Sequence, residues 1–503
     1  MVPALAPLAT IALLCGQTGS PVDGLSYVEI TGAIASLPLD GGFLEIEAGD
    51  LNGDGHPDLV SVGDHGSPFI NTQQHGVTAW LGDGAGGWTL VQTGNFGYGG
   101  CALGDIDGDG LTDIAYGVHH NYSSNDFGDQ LIEAALGDGS GFVWTPWDDG
   151  LATNGETYGM FGTDLGDVDA DGDLDLGSAS FGCCAGIHVY RNHGDGTWSQ
   201  SFGLLGGNCD SRFEFADLDG DGHLDGVAAW SLGVAWLGDG QGGFTPADGN
   251  LPGTHYIGAQ AGDVDADGRD ELCFVSGGAA RVFTWGAGNQ WTERTSNLAQ
   301  AGLASVQEIA LGDMDSDGRK DILLFSGGSY AVCSYSSSGT WRRIAGGAAA
   351  GSGTKAGELL RGGVDLDHNG LGDIWLVQRE PAGSLNTRNV HRVLAEASSA
   401  TELTIRPLAP QSQRVWRGGQ VRFVDWASSV PAGVAPGKVT IVLSVNDGGP
   451  PYQVLGAGLP NSGRTQVRVP PSVNSSVCRL IYVLTSPGLT RKRSTGPRFS
   501  VLP

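Results

Sequence analysis

The stretch Ala48-Gly-Asp-Leu-Asn-Gly-Asp-Gly-His-Pro-Asp-Leu-Val60 is the first of seven copies of one pattern, Asp-x-Asp/Asn-x-Asp/Asn-Gly-x-x-Asp/Glu. The copies begin at Asp50, Asp105, Asp167, Asp217, Asp263, Asp313 and Asp365, at intervals of 55, 62, 50, 46, 50 and 52 residues. A unit recurring at such a period marks a repeat architecture, in which each repeat buries its apolar face against its neighbours. Around each copy a short apolar strand enters and a second leaves, as in Asp58-Leu-Val-Ser-Val62 and Asp321-Ile-Leu-Leu-Phe325. A third strand runs into a Gly-rich turn, as in Val77-Thr-Ala-Trp-Leu-Gly-Asp-Gly84 and Val234-Ala-Trp-Leu-Gly-Asp-Gly240. An aromatic then opens a fourth, at Trp88, Phe142, Trp198, Phe244, Trp291 and Trp341. Four short strands per repeat is the geometry of a blade, and radial closure of blades leaves only short, protected edges. Helical periodicity is absent.

The acidic unit is also a cage for a cation. Side chains at positions 1, 3 and 5 converge only if the chain turns sharply, which Gly at position 6 permits. A helix-loop-helix calcium site would need flanking helices and a Glu at position 12. Here position 12 is Ser61, Tyr116 and Ser178 in the first three copies, and the last carboxylate falls at position 9. The expected ligands are Asp50, Asn52, Asp54 and Asp58; Asp105, Asp107, Asp109 and Asp113; Asp167, Asp169, Asp171 and Asp175; Asp217, Asp219, Asp221 and Asp225; Asp263, Asp265, Asp267 and Glu271; Asp313, Asp315, Asp317 and Asp321; and Asp365, Asp367, Asn369 and Asp373. A hard, oxygen-only set of that charge selects Ca²⁺ over zinc or copper. The alternative, acidic turns without a metal, leaves carboxylates repelling one another; two at about 4 Å cost on the order of 4 kcal/mol at an effective dielectric near 20.

Here the resemblance to a family becomes specific. The run Ala48–Val60 and its copies resemble the FG-GAP (VCBS-type) repeat of integrin α-subunit heads and many secreted bacterial proteins, over about residues 40–395. The resemblance implies an all-β fold, a seven-bladed β-propeller, with the segment near Leu25–Ile34 completing the last blade. The seventh copy, Asp365-Leu-Asp-His-Asn-Gly-Leu-Gly-Asp373, is the least regular and lacks a Gly-Asp-Gly turn. The resemblance also implies that the calcium hairpins share one rim and that ligands engage the opposite face.

Composition agrees with a folded, β-rich chain. Of 503 residues 40% are hydrophobic, enough for a sizeable core, and the 86 glycines sit at turns such as Leu81-Gly-Asp-Gly-Ala-Gly-Gly-Trp88. Charge divides the chain. Residues 400–503 carry twelve Lys or Arg against Glu402, Asp425 and Asp447, whereas the first 399 carry fourteen basic and 53 acidic groups. So acidic a surface repels phosphates, which argues against nucleic-acid binding by the repeats. After about Ala400 the acidic loops stop. Runs at Glu402–Ile405, Gln420–Trp426, Lys438–Val445, Thr465–Val469 and Val477–Leu484 read as strands of a small β-sandwich, resembling fibronectin or immunoglobulin modules. Its basic groups are expected on a solvated face, with an anionic contact surface as the alternative.

The expected domains are a leader at 1–20, the propeller at 21–399 and the sandwich at 400–503. The run Ala6-Pro-Leu-Ala-Thr-Ile-Ala-Leu-Leu-Cys15 is too short to span a bilayer and reads as a secretory h-region, although no Lys or Arg precedes it. A secreted or cell-surface protein without a membrane span is therefore expected. No Cys-x-x-Cys supports a zinc ribbon; Cys209 could pair with Cys183 or Cys184, or the thiols could stay reduced. Two long loops are expected on the face away from the acidic hairpins: Asp64-His-Gly-Ser-Pro-Phe-Ile-Asn-Thr-Gln-Gln-His75 and His119-His-Asn-Tyr-Ser-Ser-Asn-Asp-Phe-Gly-Asp-Gln130. Near them should come Tyr98, Tyr158, Cys183, Asp210, Arg212, His255 and Tyr256. Long loops on a rigid scaffold are where function concentrates, so His65, His75, His119, His120, Tyr122 and Arg212 are candidates to bind an extracellular glycan or protein ligand. Solvated loop residues without a role are the plainer reading. A sharper one makes the loop histidines acid/base groups of a propeller-type polysaccharide lyase. No nucleophile motif or phosphate loop supports an enzyme.

Overall fold

A computed structural model describes residues 24–31, 34, 45–62, 77–92, 100–117, 132–153, 160–180, 186–205, 209–230, 233–253, 257–349, 360–380 and 388–503. The leader region and both long loops, with His65, His75, His119, His120 and Tyr122, lie outside these residues, as do Tyr98, Tyr158, Cys183, Cys184, His255 and Tyr256.

Seven four-stranded antiparallel sheets follow one another along the chain as blades of a propeller. In chain order, blade 1 holds Glu45–Gly49, Asp58–Val62, Val77–Gly82 and Trp88–Gln92; blade 3 holds Met160–Gly166, Asp175–Ser180, Gly186–Asn192 and Trp198–Leu205; the strands of blade 2 fall within 101–146, of blade 4 within 209–246, of blade 5 within 257–293, of blade 6 within 308–348 and of blade 7 within 360–396. The register of each blade is set at its acidic hairpin. The residue before position 1 pairs with position 9 in every blade, as in Gly49↔Asp58, Gly166↔Asp175 and Val364↔Asp373. Both faces of these sheets are apolar, so no blade can bury itself alone. Seven buried clusters lie between successive blades: Ile46, Leu59 and Trp80 of blade 1 meet Trp375, Val377 and Val393 of blade 7, and Val227 and Val234 of blade 4 meet Leu272 and Phe274 of blade 5. Burying one such side chain contributes about 1.5–3 kcal/mol, so blade stacking dominates the energetics.

The ring closes through the N-terminal strand. Tyr27–Glu29 pairs antiparallel with Arg388–Glu396 and so becomes the fourth strand of blade 7, as expected for the segment near Leu25–Ile34. Polar side chains of the innermost strands add a second fastening, each reaching the backbone of the next blade. Glu45 accepts from Cys101 N (2.6 Å), Asp164 from Phe215 N (2.7 Å), Glu214 from Ala261 N (3.1 Å) and Gln260 from Leu311 N (2.9 Å). At the closing seam Arg361 donates to Ile46 O (2.8 Å) and pairs with Glu45 and Glu47.

Two expectations are corrected. The aromatic opening the fourth strand of blade 2 is Trp144, buried and opposite Gly137, whereas Phe142 is exposed. The turn before it is one residue longer than in blades 1 and 4: Asp138 N bonds Val143 O, while Asp83 N and Asp239 N reach only to Gly87 O and Gly243 O. Helix is present, but as a single turn at Leu298–Ala301.

The C-terminal residues form two packed sheets. One holds Arg406–Pro407, Val421–Ala427 and Arg464–Arg468; the other holds Val415–Arg417, Phe499–Leu502, Ser475–Thr485, Lys438–Asn446 and Gly449–Pro460, with Lys492–Thr495 beside it. Side chains of both, among them Val424, Trp426, Ile441, Tyr482 and Phe499, share one core. The residues Glu402–Ile405 are not a strand, whereas Gly449–Pro460 is a strand despite its prolines and glycines. It is a sheet edge, where a missing N–H leaves no ladder bond broken. The sandwich rests on the propeller rim that carries the acidic hairpins. Its arginines are not all solvated: Arg414 is buried against Asp270 of blade 5, and Arg417, Arg422 and Arg468 donate to hairpin carbonyls. The anionic surface this basic domain meets is its own propeller.

Candidate metal centre

Each acidic hairpin is built by its own carboxylates. The position-9 group is the base. One of its oxygens accepts the N–H of position 2 in all seven hairpins, from Leu51, Ile106, Val168, Leu218, Val264, Met314 and Leu366, at 2.6 to 3.0 Å. The other reaches across the blade to the third strand, accepting from Gly82, Gly137, Asn192 and Gly238 N in blades 1 to 4 and from Thr284 Oγ1 in blade 5; in blade 7 it accepts from Glu396 N. Position 9 is therefore a staple as well as a candidate ligand, a role that spacing alone could not reveal.

Position 1 turns the loop. Asp167 accepts the N–H of Ala170 (2.7 Å) and of Gly172 (3.1 Å), and Asp263 accepts those of Ala266 (2.6 Å) and Gly268 (3.0 Å). Gly at position 6 has φ between 87° and 101° in all seven hairpins, the left-handed region that the pattern anticipated. Position 4 is left-handed too. There the residue is Gly in three hairpins but Ala170, Ala266, Ser316 and His368 in the others, each with φ between 57° and 63°. Such a residue costs on the order of 1 kcal/mol, and the surrounding bonds to position 1 hold it there.

This geometry gathers the carboxylates. In blades 2 to 6 the oxygens of positions 1, 3 and 9 lie within 4.8 Å of one another: Asp105, Asp107 and Asp113; Asp167, Asp169 and Asp175; Asp217, Asp219 and Asp225; Asp263, Asp265 and Glu271; Asp313, Asp315 and Asp321. Position 5 is not in these triads. Its carboxylate caps the N–H of position 7, as Asp109 does for Leu111 and Asp221 for His223. In blades 5 and 6 Asp267 and Asp317 also bind the side chains of Arg269 and Arg319. The buried Asp105 Oδ1 has no hydrogen-bond partner among the described residues. Clustered hard oxygens, a buried one of them unpartnered, fit a divalent cation of the calcium type. When bound, it would supply the positive charge these hairpins lack.

That lack is visible in the acidities. Burial first, and neighbouring carboxylates with it, push Asp113 and Asp263 up to about 7, Asp225 and Asp313 to about 8 and Glu271 to about 9, against backbone hydrogen bonds that pull the other way. Without a cation the folded chain holds protons that the unfolded chain, with carboxylates near 4, has lost. The sign follows. These groups favour folding at acidic pH, and that contribution declines as pH rises from about 4 through 9. After chelation and dialysis, the melting temperature is expected to fall between pH 5.5 and 8.5. Millimolar Ca²⁺ should flatten that decline, because the ion replaces the protons. Calorimetry showing the same slope with and without Ca²⁺ would contradict this account.

The remaining candidate ligand-face residue, Arg212, lies in Cys209–Ala216, the innermost strand of blade 4, buried and 3.8 Å from Glu214. Cys101, Cys273, Cys333 and Cys478 are buried free thiols. The proposed partners of Cys209 fall outside the described residues.

Residues 50–116, 167–228 and 263–324 match the model of the FG-GAP-like repeat. The chain carries FG-GAP-like repeats in these three stretches. Solved structures similar to the FG-GAP-like propeller include an Agrocybe aegerita lectin described as recognising non-reducing terminal N-acetylglucosamine, at 18% identity and a TM-score of 0.40, covering 61% of this chain and 80% of the lectin. The β-propeller domain of Cps50 (Swd1) from Myceliophteria thermophila matches at 8% identity and a TM-score of 0.40, over 72% of this chain and 98% of that domain. The extracellular domain of BT4673 from B. thetaiotaomicron matches at 11% identity and a TM-score of 0.31, over 92% and 70%. None of the curated proteins matches the sequence. No helix among the described residues is long and apolar enough to cross a membrane.

Proposed function

We propose that the chain is an exported, calcium-binding propeller that acts outside the cell or at its surface as an adhesion or ligand-binding protein, with a glycan or a protein as ligand. The observation that carries the calcium part is the convergence of positions 1, 3 and 9 in successive hairpins. Calcium here is structural: it clamps the first two strands of each blade, and the ring of blades holds the ligand face rigid. The ligand face is the rim away from the hairpins. The sandwich covers the hairpin rim, and the second and third strands of blades 1 and 2, which residues 63–76 and 118–131 connect in sequence, pair at their ends away from it as Val62↔Val77 and Gly117↔Ile132. His65, His75, His119, His120 and Tyr122 belong to those connections, and they are the groups proposed to hydrogen-bond and stack on a ligand.

The test is a glycan array and a panel of matrix proteins probed in Ca²⁺ and in chelator. Calcium-dependent binding to one class is expected, weakened in a His119→Ala/His120→Ala variant. Failure to bind any of them in either condition would sink the ligand-binding part. Growth of unsaturated-product absorbance on uronate polysaccharides, lost in the same variant, would replace it with a lyase.

A further inference from the structure

We infer that the C-terminal sandwich is the outer shell of the cation sites, so that its docking and cation binding form one coupled equilibrium. This rests on the calcium reading of the hairpins and goes beyond it by assigning positioning roles to residues far away in sequence. Gln466 brackets the position-1 residue of blade 2 on both sides, accepting from Asp105 N (3.0 Å) and donating to Asp105 O (2.7 Å). In blade 3 the backbone N–H of Val421 donates directly to the position-1 carboxylate, Asp167 Oδ2, at 2.8 Å, while Arg468 donates to Asp171 O at 2.6 Å. In blade 4 Arg417 donates to Asp221 O (2.6 Å) and Arg422 to Gly222 O.

Blade 5 supplies the deepest contact. Arg414 pairs with Asp270, both buried, and Asp270 in turn accepts from Asp217 N (2.9 Å) and donates its own N–H to Asp217 O (2.9 Å). Asp217 is the position-1 residue of blade 4, so Arg414 holds that ligand through one intermediary. On the far side, Val430 N donates to His368 O of blade 7 (2.8 Å).

Two physical points give the coupling its sign. First, these donors go to hairpin carbonyls and to Asp270, which is not a candidate ligand; only Val421 touches a ligand carboxylate, at Asp167 Oδ2, and Asp167 Oδ1 is left to its own hairpin, accepting from Ala170 N. They fix the shape of the loop without filling the seats of the cation. Second, the carbonyls they read belong to positions 1, 4, 5 and 6, the part of the loop that a cation would order. A loop already ordered by the ion offers its carbonyls to the sandwich at less entropic cost, and the reverse holds by linkage. The hairpin of blade 6 is an internal comparison. Its contact is with the neighbouring hairpin, Ser316 Oγ donating to Gly370 O at 2.6 Å, whereas Arg417, Arg422 and Arg468 donate to the hairpins of blades 3 and 4.

The experiment uses the full chain. Calcium titration and amide exchange by mass spectrometry are compared for the natural sequence and for Arg417→Gln/Arg422→Gln/Arg468→Gln. The variant should need about tenfold more Ca²⁺ to protect the hairpins of blades 3 and 4, while the hairpin of blade 6 responds as before. Independently, in the unaltered chain, Ca²⁺ should slow exchange at Val421 and Val430 several-fold. This second arm stands even if the variant folds poorly. Unchanged titration of blades 3 and 4, or exchange at Val421 and Val430 indifferent to Ca²⁺ while the hairpins bind it, overturns the coupling and leaves the calcium reading intact. If no hairpin responds to Ca²⁺, both fall.

Discussion

Chelation is expected to lower the melting temperature by on the order of 10 °C relative to a sample in Ca²⁺ at tenfold its dissociation constant. Extracellular calcium modules bind at about 10⁻⁴ to 10⁻³ M. At tenfold that concentration each site adds about 1.4 kcal/mol, and seven hairpins therefore add on the order of 10 kcal/mol. Unfolding entropy near 2 cal/mol/K per residue, summed over a domain of several hundred residues, converts this to roughly 10 °C. The effect is large because the ion removes a cost as well as adding bonds. Asp175, Asp313, Asp321 and Asp373 are buried carboxylates and Asp365 a half-buried one, and desolvation with their neighbours drives their acidities upward. Scanning calorimetry with Ca²⁺ and with EDTA measures it directly. A difference below about 2 °C at saturating Ca²⁺ would mean that the hairpins are not cation cages.

Asp175→Ala is expected to cost about 3–5 kcal/mol in Ca²⁺, and Asp219→Asn far less. Asp175 Oδ2 accepts from Val168 N (2.8 Å) and Oδ1 from Asn192 N (2.9 Å), with the residue fully buried. Alanine orphans both donors, each worth about 1–3 kcal/mol when buried and unpaired. In chelator the loss is smaller, because a buried carboxylate with no counter-ion is removed at the same time. Asp219 holds one backbone bond, from Asp221 N at 3.1 Å, which the amide oxygen of asparagine can keep. That variant should lose about 1.4 kcal/mol in Ca²⁺, the contribution of one site, and almost nothing in chelator. Urea denaturation of both variants in the two buffers separates the staple from the ligand. Equal losses for the pair would show that position 9 does no more than bind the ion.

Much of the hairpin was legible because its information is local. The glycine at position 6 sits where φ is near +90°, and positions 1, 3 and 9 meet as their spacing requires. Position 4 was not legible in four hairpins, since Ala170, Ala266, Ser316 and His368 carry no mark of a left-handed backbone. Neither was the second bond of position 9, because in blades 1 to 4 and 7 its partners are backbone N–H groups on another strand, which every residue but proline possesses. Phe142 misled for a similar reason: one extra residue in the turn moves the seat opposite Gly137 from position 143 to Trp144, and Phe142 stays in the turn. The position-5 carboxylates show local competition instead, as Asp267 and Asp317 stand two residues from arginines that reach back to them.

Spacing and residue type along the chain specify seven like units, their β character and the clustering of hard oxygens, because a hairpin's contacts lie within a few residues of one another. Which faces of the assembled ring are covered is a different kind of information. The buried pair of Arg414 with Asp270 joins groups 144 residues apart, and Gln466 meets Asp105 across 361. Opposite charge in the two halves of the chain was plain from composition, yet charge has no address until folding brings particular donors within hydrogen-bond reach of particular carbonyls.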